Sequence, residues 1–185
     1  MVSVQAGRVA LVTGGVRGIG LATARRLAAG GASVALGYRS SDPAVVENAI
    51  AAVSAALPDP TVSRVRAFAA DVSRPDEVRQ MFAQIVSEFG RLDALVANAG
   101  IVRDGLAVSM EPESFMEVLQ TNLAGAFLCA KEAARIMLRQ RKGRIVLVSS
   151  IVGLDGNAGQ TNYAASKAGL VGLAKSLARE LGSRG

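Results

Sequence analysis

At 185 residues, half of them hydrophobic, the chain is long enough to bury a sizeable core and reads as one domain spanning 1–185. It contains no histidine, which removes Ser-His-Asp hydrolysis and the usual zinc sites and leaves acid–base work to hydroxyls and lysine. The net charge of +6 is scattered over several helical stretches and comes with only 4% aromatics, so solvated helix faces explain it better than a nucleic-acid partner.

Arg8 interrupts the N-terminal stretch, which therefore reads as lacking a secretory signal. No apolar run approaches the ~18 residues a membrane span needs, so a cytoplasmic protein with no membrane partner is expected. In chain order, an apolar run predicts a buried strand at 8–13, followed by a glycine-rich turn and a helix over 18–29. A strand at 33–38 and a helix at 43–57 come next, the helix stopped by the Pro58 and Pro60 turn. Then come a strand at 64–70, a helix at 75–89, a strand at 92–97, and a long helix at 111–140 with a break expected near Asn122. A strand at 144–149 and a helix at 161–182 complete the chain. This alternation predicts an α/β fold, a doubly wound parallel sheet with helices on both faces and strand order 3-2-1-4-5. Ligands of such sheets sit at the carboxyl ends of the strands, where the polar residues singled out below all fall. Cys129, the only cysteine, lies in an Ala/Leu-rich helical stretch and reads as core packing.

Two spacings carry chemistry. Gly14, Gly18 and Gly20 lie between a buried strand and a helix as G-x-x-x-G-x-G. Glycines let backbone approach a pyrophosphate, and the helix N-terminus supplies unpaired N–H groups and a positive dipole end. Tyr163 and Lys167 lie one helical turn apart on one face, downstream of Ser150 at the end of an apolar run. A phenol titrates near ~10 in water, and a cation beside it favours the phenolate. Such a tyrosine can exchange a proton with an oxygen on a reacting carbon. Taken alone, Y-x-x-x-K also fits an exposed helix with a tyrosine on its edge.

The run Thr13 to Gly20, Asp71 with Val72, Asn98-Ala99-Gly100, Asn122, Ser150, and Tyr163 with Lys167 together resemble the short-chain dehydrogenase/reductase family, in its order and over essentially the whole chain. Segments 98–104 and 159–169 are most similar to 3-oxoacyl-[acyl-carrier-protein] reductases, a narrower likeness that other ketoreductases share. The fold implied is the Rossmann fold. Family members continue into a sixth strand, a loop over the nicotinamide, a substrate-covering helix and a last strand. This chain stops at Gly185, so the resemblance implies a C-terminally incomplete domain whose fifth strand is an edge and whose own activity is in question.

The cofactor can be read at the end of the second strand. An NAD site usually has an Asp or Glu about 20 residues beyond the glycine turn. Here stand Tyr38, Arg39, Ser40 and Ser41, with Arg17 in the turn itself, groups that suit a 2′-phosphate and predict NADPH/NADP+. Arg39 alternatively reads as a plain exposed loop arginine. By resemblance, Gly14, Arg17, Gly18, Ile19 and Gly20 line the cofactor, with Arg39 and Ser40 at its phosphate end. Asp71 and Val72 meet the adenine, and Asn98, Ala99 and Gly100 follow the adenosine ribose, the missing side chain of Gly100 permitting close approach. Asp71 also fits a turn into the next helix.

The catalytic residues implied are Asn122, Ser150, Tyr163 and Lys167, with no metal. Ser150 orients a substrate carbonyl and Tyr163 donates a proton. Lys167 tunes the tyrosine and binds the nicotinamide ribose, and Asn122 holds a water leading from Lys167 to solvent. The reaction implied is reduction of a carrier-linked 3-oxoacyl thioester in fatty-acid synthesis. A different carbonyl or alcohol substrate, or a catalytically silent nucleotide-binding fragment, stands as the alternative. Basic residues at the positions of Arg141 and Arg184 dock the acidic carrier in such reductases. The cluster Arg135, Arg139, Arg141, Lys142 and Arg144 also fits simple stabilisation of a helix end. Helices 111–140 and 161–182, rich in Ala, Leu and Gly, are expected to pack against copies in a homo-oligomer, a dimer or tetramer.

Overall fold

The computed structural model describes residues 5–185; residues 1–4, part of the stretch read as lacking a signal, lie outside the described residues. Five strands, β1 (Val9–Thr13), β2 (Ser33–Tyr38), β3 (Val65–Ala69), β4 (Ala94–Ala97) and β5 (Arg144–Leu147), pair in parallel in the order β3-β2-β1-β4-β5. Every residue of β1 is buried, as expected of a central strand covered on both faces. Alternate side chains feed two separate cores. Leu11 and Leu95 face α3 (Pro75–Phe89), α5 (Gly125–Gln140) and α7 (Thr161–Leu181), while Val12 and Val96 face α1 (Gly18–Ala29) and α2 (Pro43–Ser54).

Local chemistry sets the helix limits. Asp42 caps α2 by accepting the Ala44 N–H at 2.8 Å, with Pro43 in the first turn. Pro75, Asp76 and Glu77 open α3, and Gly90 ends it at φ 75° in the left-handed region. The segment expected as one broken helix is α4 (Pro112–Leu119), a π-helical turn at Gln120–Ala124 and α5, so the break falls on Asn122. A short α6 (Val152–Asp155), absent from the sequence expectation, follows β5.

Other boundaries move inward for stated reasons. β4 starts at Ala94 rather than 92 because the Leu92 N–H goes to the side chain of Gln140, at 3.1 Å. β5 ends at Leu147, although the Val148 N–H still donates to the Ala97 carbonyl at 3.0 Å. α2 ends at Ser54, and the next residues leave through hydrogen bonds to Ala51, Val53 and Ser54. β5 pairs only with β4 among the described strands, and an apolar groove of about 310 Å³ runs beside it, lined by Ile145, Leu147, Leu177 and Leu181. No helix among the described residues is long and apolar enough to cross a membrane. Cys129 is buried, its thiol pushed up to about 12 by desolvation and the nearby Glu132, in keeping with a packing role.

Candidate active site

Strand order reverses between β1 and β4, and the loops leaving these strands open a crevice at the carboxyl edge of the sheet. The glycine turn is built against β4. Thr13 Oγ1 accepts the N–H groups of Asn98 and Ala99, each at 3.0 Å, and Asn98 Nδ2 donates to the carbonyls of Thr13 and Gly14 at 3.0 and 3.3 Å. Gly14 and Gly18 adopt φ of 64° and 54°, which L side chains rarely do. A Cβ at Gly20 would run into the Gly14 carbonyl and lie 2.7 Å from Asn98 Nδ2. These contacts keep the start of α1 bare, as a phosphate cradle requires.

The resulting cleft has a volume of about 510 Å³. Gly14, Arg17 and Ile19 line it from the turn, and Arg39 and Ser40 from the end of β2. Asp71 and Val72 line it from beyond β3, and Asn98, Ala99 and Gly100 from beyond β4. All these predicted residues are thus brought together, with Ile19 69% exposed and free to meet a ligand. Gly18 and Gly20 shape the turn without lining the cleft.

Asp71 does two things at once. Its Oδ1 accepts from the N–H and hydroxyl of Ser73, at 2.9 and 2.7 Å, making the turn into α3, while Oδ2 lies 4.0 Å from an Arg39 guanidinium nitrogen. The turn-forming reading of Asp71 therefore holds, and the residue still lines the cleft. Gly100 lines the cleft, and the direction a side chain would take there is occupied by Asn122 Oδ1, 3.0 Å from where its Cβ would stand.

The second group gathers where β5 ends against α7. Lys167 is buried, and its Nζ donates to the Val148 carbonyl at 2.8 Å and lies 5.5 Å from the centre of the Tyr163 ring. Desolvation holds the Lys167 ammonium below the usual lysine range. Ser149 Oγ donates to the Lys167 carbonyl at 2.7 Å, and Ser150 Oγ accepts the Val152 N–H at 3.2 Å at the entry to α6. Gly153 permits this approach, because the backbone of Lys167 and Ala168 lies 2.7 Å from where its Cβ would stand. Asn122 is held at the π-helical turn by its side-chain amide. Its amide accepts from Ile101 N–H at 2.8 Å and donates to the Ile101 carbonyl and to Ser166 Oγ, at 3.0 and 3.3 Å. These contacts hold the loop after β4 against α7.

Two residues that sequence reasoning missed belong to this assembly. Asn162 and Ser166 are both fully buried, and they hydrogen-bond the Arg103 carbonyl and the Tyr163 carbonyl, at 2.8 and 2.7 Å. Their i, i+4 spacing, continued by Leu170, marks the inward face of α7 and was a legible signal. Arg141 and Arg184, 43 positions apart, line one shallow groove with Arg139 and Glu180. Arg135 is instead paired with Glu132 at 2.8 Å, and Arg144 donates to the Gly185 carbonyl at 2.8 Å.

A family model described as short chain dehydrogenase matches residues 8–185. The 3-oxoacyl-[acyl-carrier-protein] reductase of Synechocystis is 45% identical over 181 residues, covering 96% of this chain and 70% of the relative. The protein of the same description from Staphylococcus aureus (strain Mu50) is 48% identical over 178 residues, covering 95% and 69%. That of Escherichia coli K12 is 44% identical over 179 residues, covering 97% and 69%. Among solved structures, levodione reductase superposes with a TM-score of 0.91 at 38% identity, covering 97% of this chain and 68% of that one. NAD+-bound xylitol dehydrogenase superposes with a TM-score of 0.90 at 32% identity, covering 97% and 66%. The chain thus spans about two thirds of the length of the proteins it matches. From the match over 8–185 and these identities, the chain belongs to the short chain dehydrogenase family.

Proposed function

We propose that this chain carries the cofactor cleft and proton-donating group of a cytoplasmic oxidoreductase that reduces carrier-linked 3-oxoacyl thioesters with NADPH in fatty-acid synthesis. The observation that carries the reading is the buried Lys167 ammonium held between the end of β5 and the Tyr163 ring, in a chain without histidine. The cradle fits a dinucleotide: Gly14, Gly18 and Gly20 leave the start of α1 open, and Arg39, not a carboxylate, stands at the end of β2. Arg39 with Arg17 and Ser40 would hold a 2′-phosphate, which favours the phosphorylated cofactor.

When bound, the reduced nicotinamide supplies the hydride. Ser150 hydrogen-bonds the substrate carbonyl oxygen, and Tyr163 gives that oxygen a proton as it becomes a hydroxyl. Lys167, fixed by Val148, places a positive charge where it favours the tyrosinate left behind. Asn122 acts as a positioning residue, through Ile101 and Ser166. The groove shared by Arg141 and Arg184 supports docking of an acidic carrier, and the names of the 44–48% identical relatives support the thioester class. Exposed Phe127 and Leu138 on α5 support a homo-oligomer.

The test is NADPH oxidation with a 3-oxoacyl thioester presented on acyl carrier protein, on coenzyme A and as a short free thioester. Turnover should be fastest on the carrier and should fall about 100-fold or more in Tyr163→Phe. NADPH affinity, followed by its fluorescence, should stay within about threefold in that variant, a change under 1 kcal/mol. Equal rates on all three substrates would overturn the carrier assignment. Full activity in Tyr163→Phe would overturn the proton-donor role. NADPH binding without turnover would reduce the reading to a nucleotide-binding chain.

A further inference from the structure

The loop after β4 is paired with no strand, yet its backbone is held by two buried side-chain amides. Asn122 takes both the N–H and the carbonyl of Ile101, at 2.8 and 3.0 Å. Asn162 donates to the carbonyl of Arg103 at 2.8 Å and accepts the N–H of Tyr163 at 2.7 Å. Asn162 is fully buried, and a buried amide cannot exchange its partners for water, so this link is not incidental. Further contacts follow the same seam: Gly105 N–H to the Gly159 carbonyl at 2.8 Å, and Gln160 Nε2 to Asp104 Oδ1 at 3.0 Å. The near end of this loop, Asn98 to Ile101, lines the nucleotide cleft; the far end is bound to the first turn of α7.

We propose that Asn162 is a positioning residue that couples occupation of the adenosine end of the cleft to the placement of Tyr163. The inference rests on the cofactor reading above and adds to it a route by which cofactor orders the proton donor. A ligand pressing on Asn98 to Gly100 stiffens the loop, and the loop can stiffen Tyr163 because a single buried amide bonds to both. Any coupling of this kind is reciprocal: removing Asn162 leaves the cleft able to bind but uncouples α7 from it.

Amide hydrogen exchange tests this with adenosine 2′,5′-bisphosphate, which carries the 2′-phosphate but has no nicotinamide end to touch Tyr163 or Lys167. In the unaltered chain, saturating ligand should slow exchange at 97–103 and also at 160–166, the latter by about fivefold or more. In Asn162→Ala the protection at 97–103 should persist and that at 160–166 should vanish. Asn162→Ser, too short to reach Arg103, should behave alike if the alanine variant does not fold. Protection confined to 97–103 in the unaltered chain, or protection at 160–166 that survives both substitutions, would overturn the proposal. Absence of protection at both segments would mean that the ligand does not bind, which would overturn the cofactor reading and this inference with it.

Discussion

Asn122 pairs with Ile101 as one strand residue pairs with another, its Oδ1 accepting the Ile101 N–H at 2.8 Å and its Nδ2 donating to the Ile101 carbonyl at 3.0 Å. The π-helical turn at Gln120–Ala124 carries this side chain, so the irregularity in the helix lies where the amide serves the loop. Asn122→Ala leaves those backbone groups and Ser166 Oγ without this partner in a buried setting. It is expected to cost about 1–3 kcal/mol, read from urea unfolding. A loss under about 0.5 kcal/mol would show that water replaces the amide.

Gly20→Ala is expected to weaken cofactor binding. The added methyl would meet the Gly14 carbonyl and Asn98 Nδ2, and neither can retreat, because Asn98 also holds the Thr13 carbonyl. Affinity for NADPH should fall about tenfold or more, which is about 1.4 kcal/mol, with a lowered Tm. Fluorescence titration and thermal unfolding measure the two effects.

Arg39→Glu is expected to reverse cofactor preference. The substitution places a carboxylate near the 2′ position and turns the Arg39–Asp71 contact into a repulsion. The ratio of NADPH to NADH affinity should drop about tenfold or more. An unchanged ratio would refute the 2′-phosphate assignment.

Asp93 predicts an acid-labile fold. Burial works against ionisation of its carboxyl, but hydrogen bonds from Arg91 and the Val9 N–H, with the charges of Arg91 and Arg8, outweigh it and hold the group below the ordinary carboxylate range. With the folded pKa depressed, the unfolded chain takes up the proton first as pH falls. The stabilisation is therefore fully present above the ordinary value of ~3.9 and is lost as pH drops through the lower, folded value. Asp93→Asn should lower Tm at pH 7, and the difference from the unaltered chain should narrow below pH ~4. A Tm difference independent of pH would count against the charged clamp.

Much of the site was legible residue by residue. The glycine turn, Arg39 and Ser150 closely follow the strands that carry them, and Tyr163 and Lys167 share one face of the helix predicted at 161–182, which is α7. Asp71 showed both of its possible roles, because the Asx turn to Ser73 is a local pattern. The contacts of the Asn122 amide were not legible, since its partners Ile101 and Ser166 lie 21 and 44 positions away. The close packing of that same Asn122 side chain against Gly100 was equally out of reach, being a contact between residues 22 positions apart.

Strand and helix order, the doubly wound parallel sheet and the identity of the residues at its carboxyl edge all follow from local patterns in the chain. Hydrophobic period, prolines and glycines act over a few residues and need no knowledge of the rest. Which polar groups satisfy one another came from the tertiary packing alone: Lys167 with Val148, Asp93 with Val9, and Asn162 with Arg103. A buried amide or ammonium must find a partner, but many distant backbone groups could serve, and packing of the helices onto the sheet selects among them.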